Sequence, residues 1–140
     1  MKLLLISFSF ILLFSSCADQ EIVNTPPNTY YLRQNYPNPF IDTTRIEYGV
    51  PDVGPGGTAP WLRLIVYDRF NIKQATLMEN GAHPAGGQTI PFSVTWNGHG
   101  VNGVKVPAGI YHIELQQRNG VVSKSEDDLI VLLRITALKQ

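Results

Sequence analysis

With 140 residues, 12 of them glycine and 10 proline, the chain is sized for one domain and punctuated like a turn-rich β protein. Eleven basic residues balance eleven acidic ones. That balance argues against a nucleic-acid partner, because phosphate contacts need a basic face.

Residues 1–16 read as a secretory signal peptide. Lys2 gives a positive start, and Leu3 to Phe14 run apolar apart from two serines. As a helix that run spans roughly 18 Å, against a hydrocarbon core of about 30 Å. It is short for a transmembrane helix and suits the apolar part of a leader. Leu13-Phe14-Ser15-Ser16-Cys17 resembles a bacterial lipobox, with Phe14 where leucine is more usual. Cys17 is the only cysteine, so no disulfide can form within one chain. Its place after the leader points to lipidation. The resemblance implies a thioether-linked diacylglycerol and an acylated amino terminus, hence an outer-membrane lipoprotein facing the periplasm or the surface. Without Lys2, the mature chain carries 10 basic against 11 acidic residues.

Residues 17–29 read as a disordered tether. Ala18 to Thr29 are polar, contain Pro26-Pro27 and show no helical or alternating pattern. Fully extended, they reach about 40 Å. Asp19 and Glu21 either resemble a surface-export signal or simply keep the tether solvated.

Residues 30–140 read as an all-β domain. In Thr44 to Val50, the side chains of Ile46, Tyr48 and Val50 share one face, and Pro51 with the Gly54–Gly57 loop ends the strand. Leu62, Leu64 and Val66 form the inward set of the next strand. Asp68 to Asn71 turn, and Ile72 to Met78 return as a hairpin partner. Thr89 to Trp96 alternate most clearly, with Ile90, Phe92, Val94 and Trp96 on one face. Pro91 lacks an N–H and is expected at an edge or near the strand start. A Gly/Asn-rich loop spans Asn97 to Gly103. Tyr111, Ile113 and Leu115 face inward on the following strand, which turns at Asn119-Gly120. Leu129 to Leu133 are apolar on both faces and read as a central strand. The expected fold is an immunoglobulin-like antiparallel β-sandwich of about seven strands behind a helical leader and a disordered tether.

Two segments carry a family likeness. Gln34 to Phe40, with Tyr36, Pro37, Asn38 and Pro39, resembles the opening of type IX secretion C-terminal sorting domains. Trp96 to Tyr111, with Gly98, Gly103, Pro107 and Gly109, resembles the immunoglobulin-like domain named for the flagellar hook-capping protein. The likeness covers about residues 31–133 and implies the sandwich fold. Physically, Pro37 and Pro39 are expected to hold an extended lead-in, the glycines to permit bends, and Trp96 and Tyr111 to anchor the core. These roles identify a fold rather than a site. Gly100 departs from the usual acidic residue. The acids after Lys124, and a domain that begins just behind Cys17, argue against a sorting tag.

Chemistry is sparse. His83 and His99 lie in loops and His112 on an outward face, none with a second ligand at metal spacing. Glu126-Asp127-Asp128 reads as a solvated break or as a weak calcium contact. No nucleophile has a base at recognisable spacing, so neither an enzyme, a cofactor nor a metal is expected. Trp61, Arg63, Ile65 and Tyr67 share an outward strand face. Open aromatics beside an arginine bind glycans or protein surfaces; alternatively, another segment covers them. The sequence therefore predicts a non-catalytic, lipid-anchored structural or adhesion module with an envelope protein or glycan as partner. A carbohydrate-binding module and a type IX sorting or accessory domain are its alternatives.

Overall fold

A computed structural model describes residues 27–54, 57, 60–79, 91–118 and 129–140. Cys17, His83, Thr89, Ile90, the Asn119-Gly120 turn and the acids at 126–128 lie outside them. The described chain forms seven strands: β1 (Tyr31–Leu32), β2 (Thr44–Gly49), β3 (Leu62–Asp68), β4 (Lys73–Glu79), β5 (Phe92–Trp96), β6 (Gly109–Arg118) and β7 (Leu129–Lys139). They pair antiparallel in two sheets, β1-β2-β5 and β4-β3-β6-β7. This is the expected immunoglobulin-like sandwich, with its fourth strand beside β3 on the larger sheet.

Alternation explains the core. Ile46, Tyr48, Leu62, Leu64, Val66, Ile113 and Leu115 all point between the sheets and are buried. Trp96 joins them, its ring centroid 5.2 Å from those of both Phe40 and Tyr111. Its indole nitrogen donates to the His99 carbonyl at 3.0 Å, which ties the following loop to the core. Pro91 directly precedes β5, where its missing N–H leaves the ladder intact.

Two expectations change. The run Leu129 to Leu133 is not central: β7 is the edge strand of the larger sheet. Its register shifts where Leu115 pairs with Leu133 but Gln116 pairs with Val131. That bulge leaves Leu132 as an extra residue, and both Leu132 and Leu133 pack against the core. The bulge removes the alternation, so the apolar run mimics a strand buried on both faces.

The segment before β2 is not a straight lead-in either. Residues 37–39 bend, and the Tyr36–Pro37 and Asn38–Pro39 peptide bonds are cis. Asn35 is buried and donates to Thr44 Oγ1 at 2.8 Å and to the Pro37 carbonyl at 3.1 Å. Phe40 pairs in parallel with Lys139, and its N–H donates to the Leu138 carbonyl. The Asn38 carboxamide accepts from Leu138 N–H and donates to the Thr136 carbonyl. The motif thus closes the outer edge of the last residues of β7, protecting backbone groups that an edge strand exposes.

The sandwich has two poles. Tyr31, Gly49, Leu62, Phe92, Arg118 and Leu129 mark the end where β1 begins. Thr44, Asp68, Trp96, Gly109 and Lys139 mark the other, here called the loop pole. The ten residues of β6 separate them by roughly 30 Å.

Candidate functional site

Arg63, Ile65 and Tyr67 alternate with the buried Leu62, Leu64 and Val66 and lie on the outer face of the larger sheet, opposite Gln116, Glu114 and His112. That face is not an open aromatic platform. Ile65 and Arg63 are buried, and Trp61 and Tyr67 are half-buried. The Trp61 ring is covered by the Arg118 guanidinium at 3.9 Å.

A polar network crosses the face. Arg63 Nε donates to Gln116 Oε1 at 2.8 Å. The Gln116 amide donates to Glu114 Oε2 at 2.6 Å and to the Tyr67 hydroxyl at 3.2 Å. Arg134 from β7 completes an ion pair with the other Glu114 oxygen. Five polar groups are therefore linked, and the three buried ones, Arg63, Glu114 and Gln116, which are individually costly to bury, find partners within the network. Arg63 is legible in the sequence as an outward residue. Its partner Gln116 lies on β6, and Arg134, which pairs with Glu114, lies on β7; no local pattern links them.

The motif residues gather at the loop pole. Gly98 has φ near 70°, and a Cβ there would stand 3.0 Å from Lys139 Cε and 3.2 Å from the Asp42 carbonyl. Glycine is required both for the left-handed backbone and for this close approach. Gly100 N–H donates to the Val104 carbonyl and Gly103 N–H to the Gly100 carbonyl, so backbone bonds brace the loop. Tyr111 is buried and donates its hydroxyl to the Pro107 carbonyl at 2.6 Å. Burial raises its pKa, and the nearby Asp68 charge adds to the shift.

The loop pole also carries the open grooves. One, of about 390 Å³, runs between the Asp68–Phe70 turn and Pro107–Tyr111. A second, of about 620 Å³, lies between β4 and β5 and is lined by Thr76, Thr95, Asn97 and His99. A smaller depression under Val101 and Val104 shares Gly100 and Val101 with one and Gln74 and Pro107 with the other. The three make a continuous surface around the pole. Sequence reasoning overlooked this surface, because Phe70, Val101, Val104 and Ile110 are isolated apolar residues in separate segments.

Asp68 shapes the turn that borders the first groove. Its carboxylate accepts from Phe70 N–H and Ile72 N–H, at 2.8 and 2.9 Å, and from the Gln74 amide at 3.0 Å. Asn71 takes the left-handed conformation expected of it, with φ of 60°. Across the pole, Lys105 donates to Asp42 at 2.5 Å. That hydrogen bond and the Lys105 charge hold the Asp42 carboxyl below its ordinary pKa. Among the described residues, no three His, Cys, Asp or Glu side chains gather as metal ligands would. His99 instead holds its own loop, with Nδ1 at 2.8 Å from the Asn97 carbonyl.

The fold and these surfaces define an immunoglobulin-like β-sandwich whose larger sheet carries a polar network on its outer face and whose loop pole bears grooves. No known family model matches the chain, and no curated protein or solved structure is significantly similar to it.

Proposed function

We propose that the chain is a non-catalytic, lipid-anchored protein of the cell envelope whose β-sandwich is a structural or adhesion module. The observation that carries this reading is the leader, Cys17 and polar tether leading into β1 at one pole, while the open apolar surface lies at the other. An anchor joined at the first pole makes the loop pole the end of the sandwich farther from the point of attachment. Several acyl chains hold a protein stably where one holds it marginally, at about 0.8 kcal/mol per buried CH₂.

We also read the sandwich as a relative of the hook-capping and type IX sorting domains. This is supported by the way Phe40, Trp96 and Tyr111 from the two motifs pack into one aromatic cluster. The glycan reading loses support from the cover over Trp61 and the burial of Arg63 and Ile65.

Fractionation of cells carrying Cys17→Ala tests the anchor: the variant should leave the membrane fraction. Undiminished membrane association overturns it. Affinity capture with the intact protein should retain an envelope component without turning over substrates, and hydrolysis of a panel substrate would refute the non-catalytic reading.

A further inference from the structure

The sequence carries four Asn-Gly pairs, beginning at Asn80, Asn97, Asn102 and Asn119. Asn97-Gly98 and Asn102-Gly103 lie among the described residues, both in the loop between β5 and β6. A glycine after asparagine leaves its backbone nitrogen open to the asparagine carboxamide, because no Cβ blocks the approach. Asn-Gly is therefore the dipeptide most prone to attack on its own side chain.

The fold holds the two pairs differently. Gly98 is buried, and a Cβ there would stand 3.0 Å from Lys139 Cε and 3.2 Å from the Asp42 carbonyl. Its carbonyl accepts from Val106 N–H at 2.9 Å. The Asn97 carboxamide oxygen accepts from His99 N–H at 3.2 Å, and the Asn97 carbonyl meets the His99 ring at 2.8 Å. Turning that carboxamide onto Gly98 breaks its bond to His99 in a loop that Trp96 ties to the core.

Asn102 and Gly103 are both exposed at the tip of the loop. Among the described residues nothing hydrogen-bonds the Asn102 carboxamide. A Cβ built on Gly103 meets nothing within 4 Å. The bond that must open is the one from Gly103 N–H to the Gly100 carbonyl, at 3.0 Å. Exposed turns of this kind open locally at small cost.

We propose that Asn102 is a site of spontaneous deamidation in the folded protein, and that the fold protects Asn97 from the same reaction. Gly103 N gives its proton to a solvent base and bonds to Asn102 Cγ. The carboxamide C–N bond breaks, and its nitrogen takes a proton from water and leaves as ammonia. Water then opens the succinimide at either carbonyl, leaving aspartate or isoaspartate. In sum, one water is consumed and one ammonia released. Both products place a carboxylate in the loop tip between the exposed Val101 and Val104. The loop pole thus gains negative charge as the molecule ages.

The test is incubation of the intact chain in detergent at mildly alkaline pH, followed by peptide mapping with fragment ions that assign each site. Asn102 should convert severalfold faster than Asn97, with isoaspartate and aspartate both formed. In denaturant the two sites should convert at similar rates, because each is then followed by an unconstrained glycine. Asn102→Gln should remove the conversion at 102 and leave Asn97 unchanged. Equal or faster conversion of Asn97 in the folded protein would overturn the proposal. So would aspartate without isoaspartate at 102, or an unchanged Asn102 over a period that converts the unfolded chain.

Discussion

Removing Arg134 should destabilise the fold through a residue it leaves behind. Glu114 is buried, and among the described residues its oxygens accept from the Gln116 amide on its own strand and from the Arg134 guanidinium on β7. Stripping the cation from a fully enclosed pair costs about 3–5 kcal/mol, because an uncompensated charge stays buried. The Arg134 side chain is 49% exposed, so water can replace part of what it supplied. Arg134→Ala is therefore expected to cost about 1–3 kcal/mol. Glu114→Leu removes the charge itself, and in that background Arg134→Ala should cost close to nothing. Urea unfolding followed by tryptophan fluorescence measures both, provided the denaturant slope stays constant. The resulting double-mutant cycle should give a coupling of at least about 1 kcal/mol. An equal cost for Arg134→Ala in both backgrounds would refute the claim that the outer face is held by this network.

Other perturbations test other layers. Trp96→Phe should cost about 2 kcal/mol in urea unfolding, through a cavity between Phe40 and Tyr111 and the lost bond to His99. Gly98→Ala should lower the melting temperature more than Gly103→Ala; both have φ near 70°, but a Cβ at Gly103 meets nothing within 4 Å. The left-handed backbone alone accounts for about 1–2 kcal/mol at each. Burial raises the pKa of Tyr48 and Tyr111, so the folded state holds these protons more tightly than the unfolded state. Their contribution is complete below about pH 10 and is lost as pH rises through the folded values. Stability measured from pH 9 to 11 should fall, and less steeply in Tyr111→Phe. Below the ordinary carboxylate range the Asp42–Lys105 contact is lost as pH falls through the lowered Asp42 pKa. High salt should weaken the same contact, since both partners are exposed.

The sequence by itself determined which side chains face inward. A period of two in Thr44–Val50, Leu62–Val66 and Tyr111–Leu115 assigned the core, because a strand offers each residue one of only two faces. Turn chemistry at Asp68–Asn71 and the proline before β5 were equally local and equally readable. Tertiary structure decided what lies outside that face. Outward is not the same as exposed: Ile65 and Arg63 became buried once β6 and β7 brought Glu114, Gln116 and Arg134 to their side. The apolar run at 129–133 could not reveal an edge, because strand position depends on hydrogen-bond partners, and the bulge opposite Leu115 and Gln116 erased its alternation. The Gln34–Phe40 motif could be read as a marker but not as the clamp on β7, a contact that spans about a hundred residues of chain. The loop pole followed the same rule. Phe70, Val101, Val104 and Ile110 are unremarkable alone and form a surface only where the β3–β4 turn and the β5–β6 loop meet.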